Sequence, residues 1–153
     1  IFGSRGLGDV YKRQIEYIRQ FMKGKFPGAP KFAVLISDVK DIAKAHVACI
    51  GNNKVGGRRL IVGKDVKRLV ELSQLIAEAM PEYKKKLPTK ELPNLMVKLI
   101  SYIDSSAKTM IPDLGIMMQT DTSYAEEILG FKFKPAKGCI SENAKSVVRL
   151  GLV

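Results

Sequence analysis

The chain is poor in the residues that build metal centres and nucleophilic sites. It has one histidine, His46, and two cysteines, Cys49 and Cys139, without a C-x-x-C pair. That leaves no zinc-type ligand set, so no metal is expected. Two isolated thiols fit a reducing compartment, and a cytoplasmic location is expected. No apolar run approaches the roughly 18 residues a membrane span needs, and no signal-type apolar core opens the chain. Inside a helical pattern, His46 reads as a hydrogen-bonded structural side chain rather than a general base.

What the chain does have is enough apolar content for one domain. Of its 153 residues, 46% are hydrophobic and 27% charged, a globular composition rather than a disordered one. The formal net charge of +11 invites a nucleic-acid reading. The lysines are scattered apart from Lys84–Lys86, and no basic helix with interleaved aromatics occurs. We read a solvated basic surface and no nucleic-acid partner.

The pattern alternates helices with short strands. "IEYIRQFMK" places Ile15, Ile18, Phe21 and Met22 on one helical face, and "GKFPGAP" breaks it. "KFAVLIS" (31–37) reads as a strand. In the helix that follows, Asp38 is the expected N-cap and Asp41 the second member of a capping box. Ile42, Ala45 and Cys49 form its buried stripe. "RRLIV" (58–62) reads as a second strand, and 65–80 as an amphipathic helix carrying Val66, Leu69, Val70, Leu75, Ile76 and Ala79, stopped by Pro81. A polar connector precedes an apolar helical segment over 94–111, broken near Asp104–Ser106. A helix capped at Asp121 or Thr122 runs to Leu129, with Gly130 as its stop. A last helix covers about 139–150. Met117 and Met118 read as core or pocket lining. Two visible strands are too few for a complete doubly wound domain, so the pattern reads as part of one.

Several segments in order resemble the extended short-chain dehydrogenase/reductases, in the branch of the dihydroflavonol and cinnamoyl-CoA reductases. "SDVKDIAKAHV" (37–47) is similar to the family's V-D-V-R-D-V-A-x-A-H segment. "GGRRLIVG" resembles its next strand, and "LIAEAMPEYKKKLPTK" its Pro-Glu-Tyr and Pro-Thr-Lys stretch. "TDTSYAEEILGFKFKP" resembles D-N-S-K-A-x-x-x-L-G-F, and the ending L-x-x-x-G-L-V also matches. The resemblance covers residues 15–153. It implies an α/β fold: the C-terminal, substrate-domain portion of a Rossmann-type enzyme with the last Rossmann strand, mostly helical with two or more short strands. It further implies a parent that uses NADP, or NAD, to reduce a small-molecule ketone or aldehyde. An epimerase or 3β-hydroxysteroid dehydrogenase-type parent, and a non-catalytic binding or scaffold module of the same ancestry, are the alternatives.

The family's catalytic Y-x-x-x-K is missing. Four residues after Tyr11, Tyr17, Tyr83, Tyr102 and Tyr124 stand Ile15, Phe21, Leu87, Ser106 and Ile128. The chain therefore offers no catalytic and no cofactor-binding residue, and the fragment is expected to bind no cofactor and to be inactive by itself. The resemblance makes Phe26, Leu35 and Ile36 the substrate-pocket candidates.

"GSRGLGDVYKRQ" (3–14) spaces its glycines like a phosphate-binding loop, but such a loop must follow a strand, and only two residues precede it. "SRGLGDVYKRQ" instead resembles, residue for residue, the in-frame translation of a transposase adapter used in sequencing libraries. Residues 1–14 are therefore read as non-native. Setting aside Arg5, Lys12 and Arg13 against Asp9 lowers the net charge from +11 to +9.

Overall fold

The computed structural model describes residues 18–102 and 111–153. The expected helix break at Asp104–Ser106 and the glycine-rich start lie outside them. Helix α1 (residues 18–22) opens the described part and buries Ile18, Phe21 and Met22, the face its spacing predicts. The breaker segment then supplies a two-residue strand, β1 (Ala29–Pro30). Next come β2 (Ala33–Ile36), α2 (Val39–Cys49), β3 (Asp65–Arg68) and α3 (Leu69–Ala79). The polar connector contains β4 (Glu91–Leu92). Three helices follow: α4 (Asn94–Ile100), α5 (Ser123–Leu129) and α6 (Ala136–Arg149).

The strands form two small ribbons. β1 runs parallel to β4, with Ala29 opposite Glu91. β2 runs antiparallel to β3, with Ala33 opposite Arg68 and Ile36 opposite Asp65. Two expectations are corrected here. The strand anticipated over 58–62 joins no ladder among the described residues. The edge of β2 is taken instead by Asp65–Arg68, anticipated as helix. That helix begins at Leu69, where the Glu71 carboxylate accepts from the Arg68 backbone N–H at 2.7 Å and closes its first turn. Likewise α6 starts at Ala136, three residues before the expected start.

Two apolar clusters hold these elements. The larger joins α1, β2, α3 and α6 around Phe21, Met22, Leu69, Ile76, Ile140 and Val147. The smaller gathers Ala45, Ala125, Leu129 and Phe133, with Leu60 and Val62 packed against it. Gly130 ends α5 at φ 74°, a left-handed conformation in which a side chain is strained.

Candidate functional site

Three regions gather the candidate side chains. The first is the β2 ribbon with its approach loop. Phe26 is half-buried and meets Phe21 edge-to-face at 5.2 Å. Ile36 lies in the same large cluster. Leu35 is its neighbour on the strand, so its side chain leaves on the opposite face. It sits against Gly63, where an added Cβ would come within 2.8 Å of the Leu35 side chain and 2.8 Å of Ser37 Oγ. The fold therefore brings Phe26 and Ile36 together and sends Leu35 elsewhere.

The second region surrounds the start of α2. Asp38 Oδ1 accepts from the Lys40 backbone N–H at 2.8 Å. Asp41 is buried, and its Oδ2 accepts from the Lys134 backbone N–H at 2.6 Å. Asp65, at the start of β3, accepts from the Ala136 N–H at 2.7 Å. The Lys134 ammonium stands 3.3 Å from Asp38 and pairs with Glu142, which also meets Lys40 at 3.3 Å. Burial pushes the Asp38 carboxyl up, but the Lys40 N–H and the Lys134 ammonium outweigh it and hold its pKa below the usual value. Lys134 is raised, chiefly by Glu142 and then by Asp38, against the pull of desolvation. Cys139 lies within this group, and burial with the Asp38 charge pushes its thiol up to about 11. Such a thiol is inert rather than nucleophilic.

The third region is built on Glu126, a buried carboxylate on α5. Lys64 donates to it at 2.8 Å, Lys132 at 3.0 Å and the Phe133 N–H at 3.0 Å. These partners, Lys64 first, hold its pKa down at about 2. Sequence reading missed Asp65, Glu126 and Lys134. Glu126 carried a signal: it lies three residues before Leu129 and one after Ala125, on the buried face of α5.

His46 is exposed, with Nδ1 at 2.8 Å from the Ile42 carbonyl. Met117 and Met118 are exposed and do not line the core. An open apolar depression of about 460 Å³ lies beside α2, walled by Ala43, Val47, Ala48 and Phe131 with Lys44. Among the described residues no group of three His, Cys, Asp or Glu could hold a metal, and no helix is long and apolar enough to cross a membrane.

The fold is similar to part of a Rossmann-type α/β fold. Over 94% of its length the chain superposes on the yeast methylglyoxal/isovaleraldehyde reductase Gre2, solved with NADPH, at a TM-score of 0.64 and 23% identity, covering 42% of that chain. The Candida albicans Gre2 structure gives a TM-score of 0.61 and 20% identity over 89% of this chain and 37% of that one. In sequence the chain is 24% identical, over 97% of its length, to a Candida albicans protein assigned as an NADPH-dependent methylglyoxal reductase. It spans 40% of that relative's length. No family model matches.

The β2-to-α2 and β3-to-α3 junctions do not fit a pyrophosphate. At the β2-to-α2 junction the positive helix end faces the Asp38 carboxylate, and no glycine opens the backbone to a pyrophosphate. At β3-to-α3, Glu71 fills the same position.

Proposed function

We propose that residues 15–153 are the C-terminal, substrate-side portion of an NADPH-dependent carbonyl reductase of the extended short-chain dehydrogenase/reductase type. In the intact enzyme, hydride passes from NADPH to the carbonyl carbon of a small ketone or aldehyde. The cofactor loop and the proton-donating tyrosine belong to an upstream half, and this portion shapes the substrate side. Residues 1–14 are adapter-derived and take no part. The protein works in the cytoplasm, and its basic surface is solvated rather than a nucleic-acid face.

The observation that carries this reading is the segment 58–62. It has the composition of a strand, and Leu60 and Val62 pack against the smaller cluster, yet it joins no ladder among the described residues. Ile61 between them is 44% exposed. An apolar segment of this kind is accounted for as the last strand of a Rossmann sheet whose other strands lie upstream. Of the three pocket candidates, Leu35 is the one we keep for substrate contact, because Phe26 and Ile36 pack into the large cluster.

The test is to extend the source transcript upstream and express the joined chain. The extension should contain G-x-x-G-x-x-G and Y-x-x-x-K in frame. The joined protein should oxidise NADPH with methylglyoxal or isovaleraldehyde, while the 153-residue chain should not bind NADPH by fluorescence titration. A start codon just before Ile15 with an in-frame stop ahead of it, or NADPH turnover by the 153 residues alone, would overturn the proposal and favour a self-standing module.

A further inference from the structure

The start of α6 is short of local partners. A helix leaves its first N–H groups without intrahelical acceptors, and the N-cap here is Pro135, which supplies no side-chain cap. Pro135 also has no N–H, so the stretch 134–136 presents two backbone donors, at Lys134 and Ala136. Both go to carboxylates far away in sequence. Asp41 of α2 takes Lys134, 93 residues on, and Asp65 of β3 takes Ala136, 71 residues on.

The position of this stretch matters. Phe133, just before it, belongs to the smaller cluster, and Ala136, Cys139 and Ile140, just after it, belong to the larger one. The acceptors stand at one end of the β2–β3 ribbon, since Asp65 pairs with Ile36 and Asp41 lies in the turn of α2 that follows Ile36. The surrounding charges face the same point: Asp38 and Lys40 from α2, Lys134 from the linker and Glu142 from α6.

We propose that Asp41 and Asp65 form a single two-carboxylate clasp. Asp65 caps α6 in trans, Asp41 holds the residue just ahead of its N-cap, and together they fix how the smaller cluster is joined to the larger one. The clasp is a positioning device: opening it frees residues 131–135 from the ribbon end while α3, α6 and the larger cluster keep their packing. The inference stands whether or not the chain belongs to a reductase.

Amide hydrogen exchange by NMR on the 153-residue chain tests it. In the unmodified chain the Ala136 and Lys134 amides should be protected like interior ones. The Asn94 amide provides the comparison: it stands at the same point of α4, where Pro93 gives no side-chain cap, and should exchange fast. Asp65→Ala should speed exchange at Ala136, and at Lys134 through the shared clasp, by about tenfold to a hundredfold. Asp41→Ala should do the reverse pair. Asp65→Asn, which keeps an acceptor oxygen, should restore most of the protection. An Ala136 amide as fast as that of Asn94 in the unmodified chain overturns the proposal even if the alanine variants fail to fold. So does an Asp65→Asn chain as labile as Asp65→Ala, or acceleration spread evenly over α3.

Discussion

Phe21 offers the sharpest test of the packing, because it sits in the first described helix and is fully buried. Its ring meets Phe26 edge-to-face, with planes 89° apart. Truncation to alanine removes a whole ring from the larger cluster. Phe→Ala changes at such sites cost about 3–5 kcal/mol, because transfer and cavity terms add. Against the ~5–15 kcal/mol that holds an ordinary domain together, that is a large fraction. At about 2–4 °C per kcal/mol for a chain of this size, the midpoint should fall by about 10 °C. The chain has no tryptophan, so urea unfolding is best followed by far-UV circular dichroism, read as a shift in midpoint at constant slope. Phe21→Leu keeps most of the volume and should cost ~1–2 kcal/mol. The double-mutant cycle of Phe21→Leu with Phe26→Leu should give a coupling of ~0.5–1.5 kcal/mol, the range for an edge-to-face pair. If Phe21→Ala costs under ~1 kcal/mol, α1 is not docked on the cluster and the account of the core fails. A coupling indistinguishable from zero would mean that Phe26 is not anchored on Phe21.

Two other predictions use the remaining regions. The Glu126 carboxyl is held below its ordinary pKa of 4.5, at about 2, so its stabilising effect is complete above pH 4.5 and is lost as pH falls towards 2. Thermal midpoints of the unmodified chain should drop over that window, and Glu126→Gln should flatten the slope there; equal slopes in the two chains refute the assignment. Gly63→Ala would place a Cβ at 2.8 Å from both the Leu35 side chain and Ser37 Oγ, and Ser37 is tied to the Val62 carbonyl at 2.6 Å. Ser37 is held and the Leu35 side chain must give way, so overpacking should cost ~1–3 kcal/mol in denaturant unfolding, and a neutral result would mean that the ribbon lies further from the 60–64 segment.

Residue spacing made the helices legible and the small ribbons obscure. Ile18, Phe21 and Met22, or Leu69 and Ile76, recur at helical intervals and are buried as that recurrence requires. "DVKR" has one apolar residue in four, too little for any strand signal, and its pairing is decided by β2 rather than by its own composition. "RRLIV" shows the converse: strong strand character without a partner gives no ladder, because a strand is defined by the neighbour that takes its N–H and C=O groups. Capping at Asp38 could be read locally, since its acceptor role spans two residues. Asp41 fits the same local motif, yet its carboxylate goes to Lys134. No window of sequence contains both ends of such a contact, and for that reason Asp65 and Lys134 went unnoticed.

The surface of α2 bears on the proposed reading independently of any motif. The helix turns Ala45 inward, with Ala48 and Cys49 packed beside it. It also carries Val39, Ala43, Val47 and Ile50 along its outer side. Val47 is 69% exposed and Ile50 80%, and the apolar depression opens beside them. A surface helix ordinarily keeps one apolar stripe and one polar face, whereas a helix apolar on two sides suits burial between two layers. α4 repeats the theme with Leu95, Met96, Leu99 and Tyr102 exposed. Layered α/β domains place helices on both faces of a sheet, and the strand-like segment 58–62 lies beside α2 through Leu60 and Val62. A strand-like segment without a ladder partner beside a doubly apolar helix fits the proposed reading, in which both meet a sheet from another part of the protein. That adjacency supports the proposed reading more strongly than exposed apolar area alone, since scattered apolar side chains are common on any protein surface.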